Sequence, residues 1–342
     1  MEIVPNSEKL KMDLFASLKQ RFSGQSSPPR RRSSDPLLQL GKFEKCWNVV
    51  REERDEEIRS PTPKRVTHTD IPVCLEQISQ LLADEDEAFE ATEVAPLMDL
   101  ALERGIFEKL SKYALECDIP VGFRGYIIHF FAEVTQRLEA RWLSNNRLYR
   151  PIMDLLVAAA ADQEFNREYY LAFLVLSFNL SEKVAVLPEL VPVFLAHDFF
   201  LLDYTLRYLH FPGDAGNYSR SAILNILSLP NNELQHFVIK DSGLAQIIAS
   251  ALGGLWSQLP QSLSSIDNEL PTPSLDTLVL VLQFCNIMAS QFMASRFHEG
   301  IGILIIETIQ NDFLQKIVKH DFLERLDFDG TAISVHFPKF ES

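Results

Sequence analysis

An all-α fold of the armadillo/HEAT-like, irregular α-solenoid kind is predicted, on three observations. Apolar residues return every three or four positions in segment after segment, and Phe123, Ile127, Phe130, Phe131, Val134 and Leu138 form the clearest such stripe. Helix starters and stoppers recur so that two or three helices occupy roughly 40 to 47 residues, the period of armadillo and HEAT repeats. Period-two alternation is nearly absent, with 332–337 (Ala-Ile-Ser-Val-His-Phe) the one short strand candidate. The repeats are degenerate, so an irregular helical bundle is the competing architecture.

The organisation divides into a tail over residues 1–37, a helical array over 38–326 with a lobe boundary expected near 258–273, and a C-terminal tail over 327–342. In the first tail Leu10, Leu14, Leu18 and Phe22 are spaced by four, with Lys9, Lys11, Lys19 and Arg21 among them. That stripe suits a short helix docking on a membrane surface or a partner. The blander alternative is an extra packed helix or a frayed tail, because so short a segment is marginally helical alone. Residues 23–36 are too rich in Ser, Pro and Arg to pack and form a linker.

In the array, Phe43, Cys46, Trp47 and Val50 mark the first helix, which the charged residues 51–57 extend until Ser60-Pro61-Thr62-Pro63 stops it. Asp70 and Pro72 suit a helix start, and Leu75, Ile78, Leu81 and Leu82 line one face after it. The acidic run Asp84-Glu85-Asp86-Glu87 is expected as a solvated turn. Residues 94–103 form the next helix, stopped by Gly105, and Ile106, Phe107, Leu110 and Tyr113 line the one after. Asp118 and Pro120 start another. Further helices are placed at about 148–161, 165–180, 185–196, 198–210, 218–229, 231–239, 242–257, 273–295, 299–309 and 311–326.

Hydrophobic residues make up 46% of the 342, ample for a core. The net charge of −15 is uneven: residues 1–69 hold 14 Lys/Arg against 10 Asp/Glu, and the remainder 18 against 37. An acidic body repels phosphate backbones, which argues against nucleic-acid binding. No run approaches 18 consecutive apolar residues, and the N-terminus lacks the order of a signal peptide, so a cytoplasmic protein is expected. Cys46, Cys74, Cys117 and Cys285 stand far apart with no CxxC, as buried free thiols do.

The sequence contains no phosphate loop, no nucleophile elbow, no HExxH and no complete GxGxxG; Gly300-Ile301-Gly302 lacks the third glycine. His197, Asp198, Asp203 and His210 are better explained by a packed helix with Asp198 as its cap than by a metal site. Cys117 and His129 make a poor thiol–imidazole pair: Glu116 and Asp118 raise a thiol's pKa, and His129 beside Phe130-Phe131 is expected to be buried. No catalytic residue, cofactor or metal is predicted. Ser33 and Ser34, in Arg30-Arg31-Arg32-Ser33-Ser34-Asp35-Pro36, are candidate phosphorylation sites, since arginines precede them at a basophilic kinase's spacing.

Several collinear blocks resemble one family, the FTS and Hook-interacting proteins, also called retinoic acid-induced protein 16-like. They are Thr69 to Leu82, Phe43 to Val50 with Trp47, Ala95-Pro96-Leu97-Met98 through Leu110, Leu148-Tyr149-Arg150-Pro151-Ile152, and Ser228-Leu229-Pro230 with 253–267. The resemblance spans about residues 40–325. It implies a non-enzymatic scaffold that binds Hook-family coiled-coil adaptors and a small ubiquitin-conjugating-like partner, and so links early endosomes to dynein for vesicle transport on microtubules. It also implies a cytoplasmic protein, peripheral on early endosomes. Family members usually continue into a further helical half. The alternative is a generic armadillo-like peptide-binding module of another cytosolic pathway.

Overall fold

The computed structural model describes residues 36–88, 95–186, 199–259, 272–295 and 298–315. Among these, helices account for most residues and the only extended pairing is an isolated parallel bridge between Arg65 and Val121. The all-α prediction holds. The residues fall into two compact units, up to Leu234 and from Gln235 onward; most of the stretch 258–273, where a lobe boundary is expected, lies outside the described residues. The stripe at Leu10, Leu14, Leu18 and Phe22, the serines Ser33 and Ser34, and the strand candidate at 332–337 lie outside the described residues.

The first unit opens with α1 (Pro36–Arg59) and α2 (Ile71–Ala88). In α1, Phe43, Cys46, Trp47 and Val50 recur at three and four and are buried, while Arg51, Glu52 and Glu56 face solvent. α2 buries Ile71, Leu75, Ile78 and Leu82 against α1. It does not stop where the acidic run begins. Residues 84–87 are helical, and Glu85 and Asp86 are buried instead of forming a solvated turn. Their carboxylates have partners elsewhere in the chain, and local polarity could not reveal them.

Five helices follow: α3 (Pro96–Glu103), α4 (Ile106–Glu116), α5 (Phe123–Arg137), α6 (Asn146–Ala161) and α7 (Gln163–Val186). Gly105, at φ 61°, separates α3 from α4 as the stop-and-start residue expected of it. Asp118 acts as predicted at the start of α5, but from four and six residues away: its Oδ2 accepts from the Gly122 N–H and its Oδ1 from the Arg124 N–H, both at 2.8 Å. α7 runs through the break expected after residue 180, and residues 187–196 are not described. The unit ends with α8 (Phe200–Leu206), shorter than the expected 198–210, and α9 (Gly213–Leu227).

These helices form two rows. α2 packs on α5, α5 on α7 and α7 on α9; α4 packs on α6 and α6 on α8; cross-contacts α4–α5 and α6–α7 join the rows. Each helix covers the apolar stripe of its neighbours, which is how a solenoid builds a core without one central layer. At the seam of α4 and α5, Phe107 lies 6.3 Å from both Phe130 and Phe131. All three rings are essentially inaccessible to solvent.

The second unit holds the rest of α10 (Asn232–Lys240), then α11 (Leu244–Ser257), α12 (Thr272–Met293) and α13 (Glu299–Glu307). α13 runs into a π-helical turn over Thr308–Leu314, where a separate helix from 311 was expected. α12 packs on α11 and α13, and Phe313 meets Trp256 edge-on at 6.4 Å. Gly302, singled out in the Gly-x-Gly pair, serves this packing: a Cβ there would lie 2.9 Å from the Met293 backbone nitrogen. By length and composition α7 and α12 are each long and apolar enough to cross a membrane. Both are flanked by other helices, the ordinary place of an apolar core helix.

Phe130→Ala should destabilise the first unit by about 3 to 5 kcal/mol, the usual loss for a buried Phe. Urea unfolding measures it, and a change near zero would show that this seam is not core.

Candidate functional site

A surface groove of about 580 Å³ lies between α4 and α6. At its floor the Ser111 hydroxyl donates to the Pro151 carbonyl at 2.9 Å, fixing α4 to α6. At one end Arg147 Nη1 donates to the Leu102 carbonyl just before α4, so the two helices run in the same direction. The α4 wall carries Glu108, Lys112, Leu115 and Glu116; the α6 wall carries Arg147, Arg150 and Asp154 at helical spacing.

Part of that charge is already engaged. Glu116 accepts from buried Arg54 at 3.0 Å and pairs with Lys112 at 3.7 Å, while the Arg54 guanidinium lies 3.8 Å from the centre of the Tyr113 ring. Arg150 is exposed and makes no ion pair among the described residues. The lining therefore combines this guanidinium with the carboxylates of Asp154 and Glu108 and with apolar Leu115 and Pro151. No side chain here is a nucleophile activated by a base. A mixed-charge groove of this kind is suited to holding a charged helix or peptide.

The orientation of α6 is set from the far side by α2. The carboxylate of Asp86 accepts from the Glu139 N–H at 2.7 Å, from Arg141 Nη2 at 2.7 Å and from Trp142 Nε1 at 2.8 Å. These residues form the 3-10 turn Ala140–Ser144 that leads into α6, where Asn145 Oδ1 accepts from the Arg147 N–H. Glu85 accepts from the N–H groups of Leu97 and Met98 at 2.8 and 2.9 Å and so caps α3. Burial pushes its carboxyl above the usual range, against the opposing pull of those two amides.

Other residues singled out in the sequence are not brought together. Asp203 and His210 are exposed, while His197 and Asp198 are outside the described residues; the cap position of α8 is Phe199, at φ 56°. Among the described residues no cluster of His, Cys, Asp and Glu is arranged to hold a metal. All four cysteines are free thiols; Cys46, Cys74 and Cys285 are buried and Cys117 is half-buried. Burial, then the neighbouring Cys46, pushes the Cys74 thiol up to about 12, and burial does the same at Cys285.

His129 is not in the core as expected. It lies on the outer face of α5, one position from the Phe130 stripe, with Nε2 3.4 Å from Glu133 Oε1. The hydrogen bond to Glu133 holds the imidazole above its ordinary 6.5, opposed by burial, with Glu76 reinforcing it and Arg137 opposing it. Glu133 is correspondingly held below 4.5, chiefly by His129, with Arg137 also contributing. A raised histidine contributes stability below its unfolded pKa and loses it as pH rises through the folded value; a depressed carboxyl loses its contribution as pH falls. The pair is therefore strongest between about pH 4.5 and 6.5. Melting of wild type and His129→Ala should differ most near pH 5.5 and converge by pH 8; a constant gap would contradict the pair's role.

Residues 97–335 match the family model described as retinoic acid induced 16-like protein. The FHF complex subunit HOOK-interacting protein 1A of Homo sapiens is 23% identical over 252 residues, covering 68% of this chain and 24% of that protein. An FHIP family protein of Nematostella vectensis is 22% identical over 284 residues, covering 78% of this chain and 32% of its own length. One from Drosophila virilis reaches 31% identity over 149 residues, 40% of this chain and 14% of the relative. The chain thus spans about a quarter to a third of the first two relatives. With the matched region running from α3 through the second unit, including both walls of the groove, the chain belongs to the retinoic acid induced 16-like family.

Proposed function

We propose that this chain is a non-enzymatic adaptor that binds a coiled-coil protein of the Hook type, with the groove between α4 and α6 as the docking surface. The observation that carries the reading is the family match across both groove helices, together with relatives named for interaction with HOOK. The groove suits such a partner. Coiled-coil helices carry alternating acidic and basic side chains beside an apolar seam. Lys112, Arg150 and Asp154 rim a floor that includes Leu115 and Pro151. Membership of a complex with a ubiquitin-conjugating-like subunit, cytoplasmic residence, and attachment to early endosomes for dynein-driven vesicle transport belong to the same proposal.

Titration calorimetry with a purified Hook-type coiled coil tests it. Wild type should bind, and Arg150→Glu should weaken binding at least about tenfold, because it places like charge beside Asp154 at the centre of the groove. Arg150 is exposed and makes no ion pair among the described residues, so circular dichroism should not change. Absence of wild-type binding would sink the partner. Equal binding by the variant would move the contact off this groove, and binding of unrelated charged helices with similar affinity would favour a generic peptide-binding module.

A further inference from the structure

We propose that Thr62 is a phosphorylation site for a proline-directed serine/threonine kinase that also reads a basic residue three positions downstream. The sequence there is Thr62-Pro63-Lys64-Arg65. It lies in the loop after α1, where Pro61, Thr62, Lys64 and Arg65 are all exposed. The Thr62 hydroxyl makes no hydrogen bond among the described residues. Its backbone is held lightly, by Ser60: Ser60 Oγ accepts from the Thr62 N–H at 3.3 Å and donates to the Thr62 carbonyl at 3.2 Å.

Each feature matters to a kinase cleft, which takes its substrate in extended form. Pro63 brings no N–H to be left unpaired after the acceptor residue. Arg65 offers a charged donor to an acidic subsite on the enzyme. The neighbouring Ser60-Pro61 has the proline but places Pro63 in the basic position, so it is the poorer acceptor. In the reaction the Thr62 oxygen bonds to the γ-phosphorus of ATP and the bond to the β-bridging oxygen breaks. ADP leaves, and the hydroxyl proton passes to the kinase's catalytic base.

The product changes a defined contact. Lys64 Nζ lies 3.2 Å from Glu57 Oε1, and the Lys64 N–H donates to Glu57 Oε2 at 2.7 Å, which holds that carboxyl below its ordinary value. A phosphate two residues away brings about −1.5 to −2 charges and competes for the Lys64 ammonium. The loop is tied to the start of α5, since the Val121 N–H donates to the Lys64 carbonyl and the Val66 N–H to the Val121 carbonyl. The mark therefore sits on the loop that ties the end of α1 to the segment just before α5. It is independent of the Hook reading.

The test incubates the full chain, in a Ser27→Ala background that removes the Ser27-Pro28-Pro29-Arg30 match, with a purified cyclin-dependent kinase and Mg-ATP. Mass spectrometry should find phosphate at Thr62, at a kcat/KM within about tenfold of that for a free peptide spanning residues 57–68. Thr62→Ala should abolish it and Ser60→Ala should leave it. Arg65→Ala should lower kcat/KM about tenfold, the loss expected of one charge-assisted contact. No phosphate at Thr62 in the folded chain, labelling seen only after denaturation, or indifference to Arg65→Ala would each overturn the assignment.

Discussion

The two buried carboxylates at the end of α2 hold the first unit in register. A charge taken out of water costs several kcal/mol unless it is paired and hydrogen-bonded; Asp86 meets that condition through Arg141 and two N–H donors, and Glu85 is hydrogen-bonded by two backbone amides in a different part of the chain. Glu85 supplies the acceptor that the free amides at the start of α3 need, and Asp86 gathers three donors from the turn before α6. Hydrogen bonds to charged groups each contribute about 1.5 to 3 kcal/mol. The Asp86 contacts tie the turn that leads into α6 to α2, and the groove's Arg147 and Arg150 ride on α6.

The same device recurs where rows of apolar helices change direction. Asp118 fixes the start of α5, Glu57 closes the loop after α1, and buried Arg220 donates across the α8–α9 turn to the Leu209 carbonyl and, within α9, to Asn217. Apolar stripes are permissive about register, because a helix can slide along a greasy neighbour at little cost. Buried polar contacts are not, because a slip leaves a charge or amide unsatisfied. The array is thus driven together by its Phe and Leu stripes and placed by these polar points.

This division explains what the sequence reveals. The stripe of Phe43, Cys46, Trp47 and Val50 and that of Phe123 to Val134 are local patterns, and both land in the core as read. Gly105 and Asp118 are local signals too and act at helix ends as expected. The run at 84–87 misleads because the partners of its buried pair lie about 12 to 56 residues away, beyond any window of periodicity. His129 misleads by one position on a helix, enough to move a side chain from the seam to the surface. The groove is not read from the sequence: Arg147, Arg150 and Asp154 lie at helical spacing on α6, but only the fold sets Lys112 and Glu116 beside them.

Hydrogen exchange on Asp86→Ala tests most directly whether that carboxylate places α6. The Glu139 amide and those of residues 140–147 should lose protection by at least about tenfold, while α9 keeps its own. Unchanged protection at 139–147 would contradict the account, leaving the apolar rows to orient the groove by themselves.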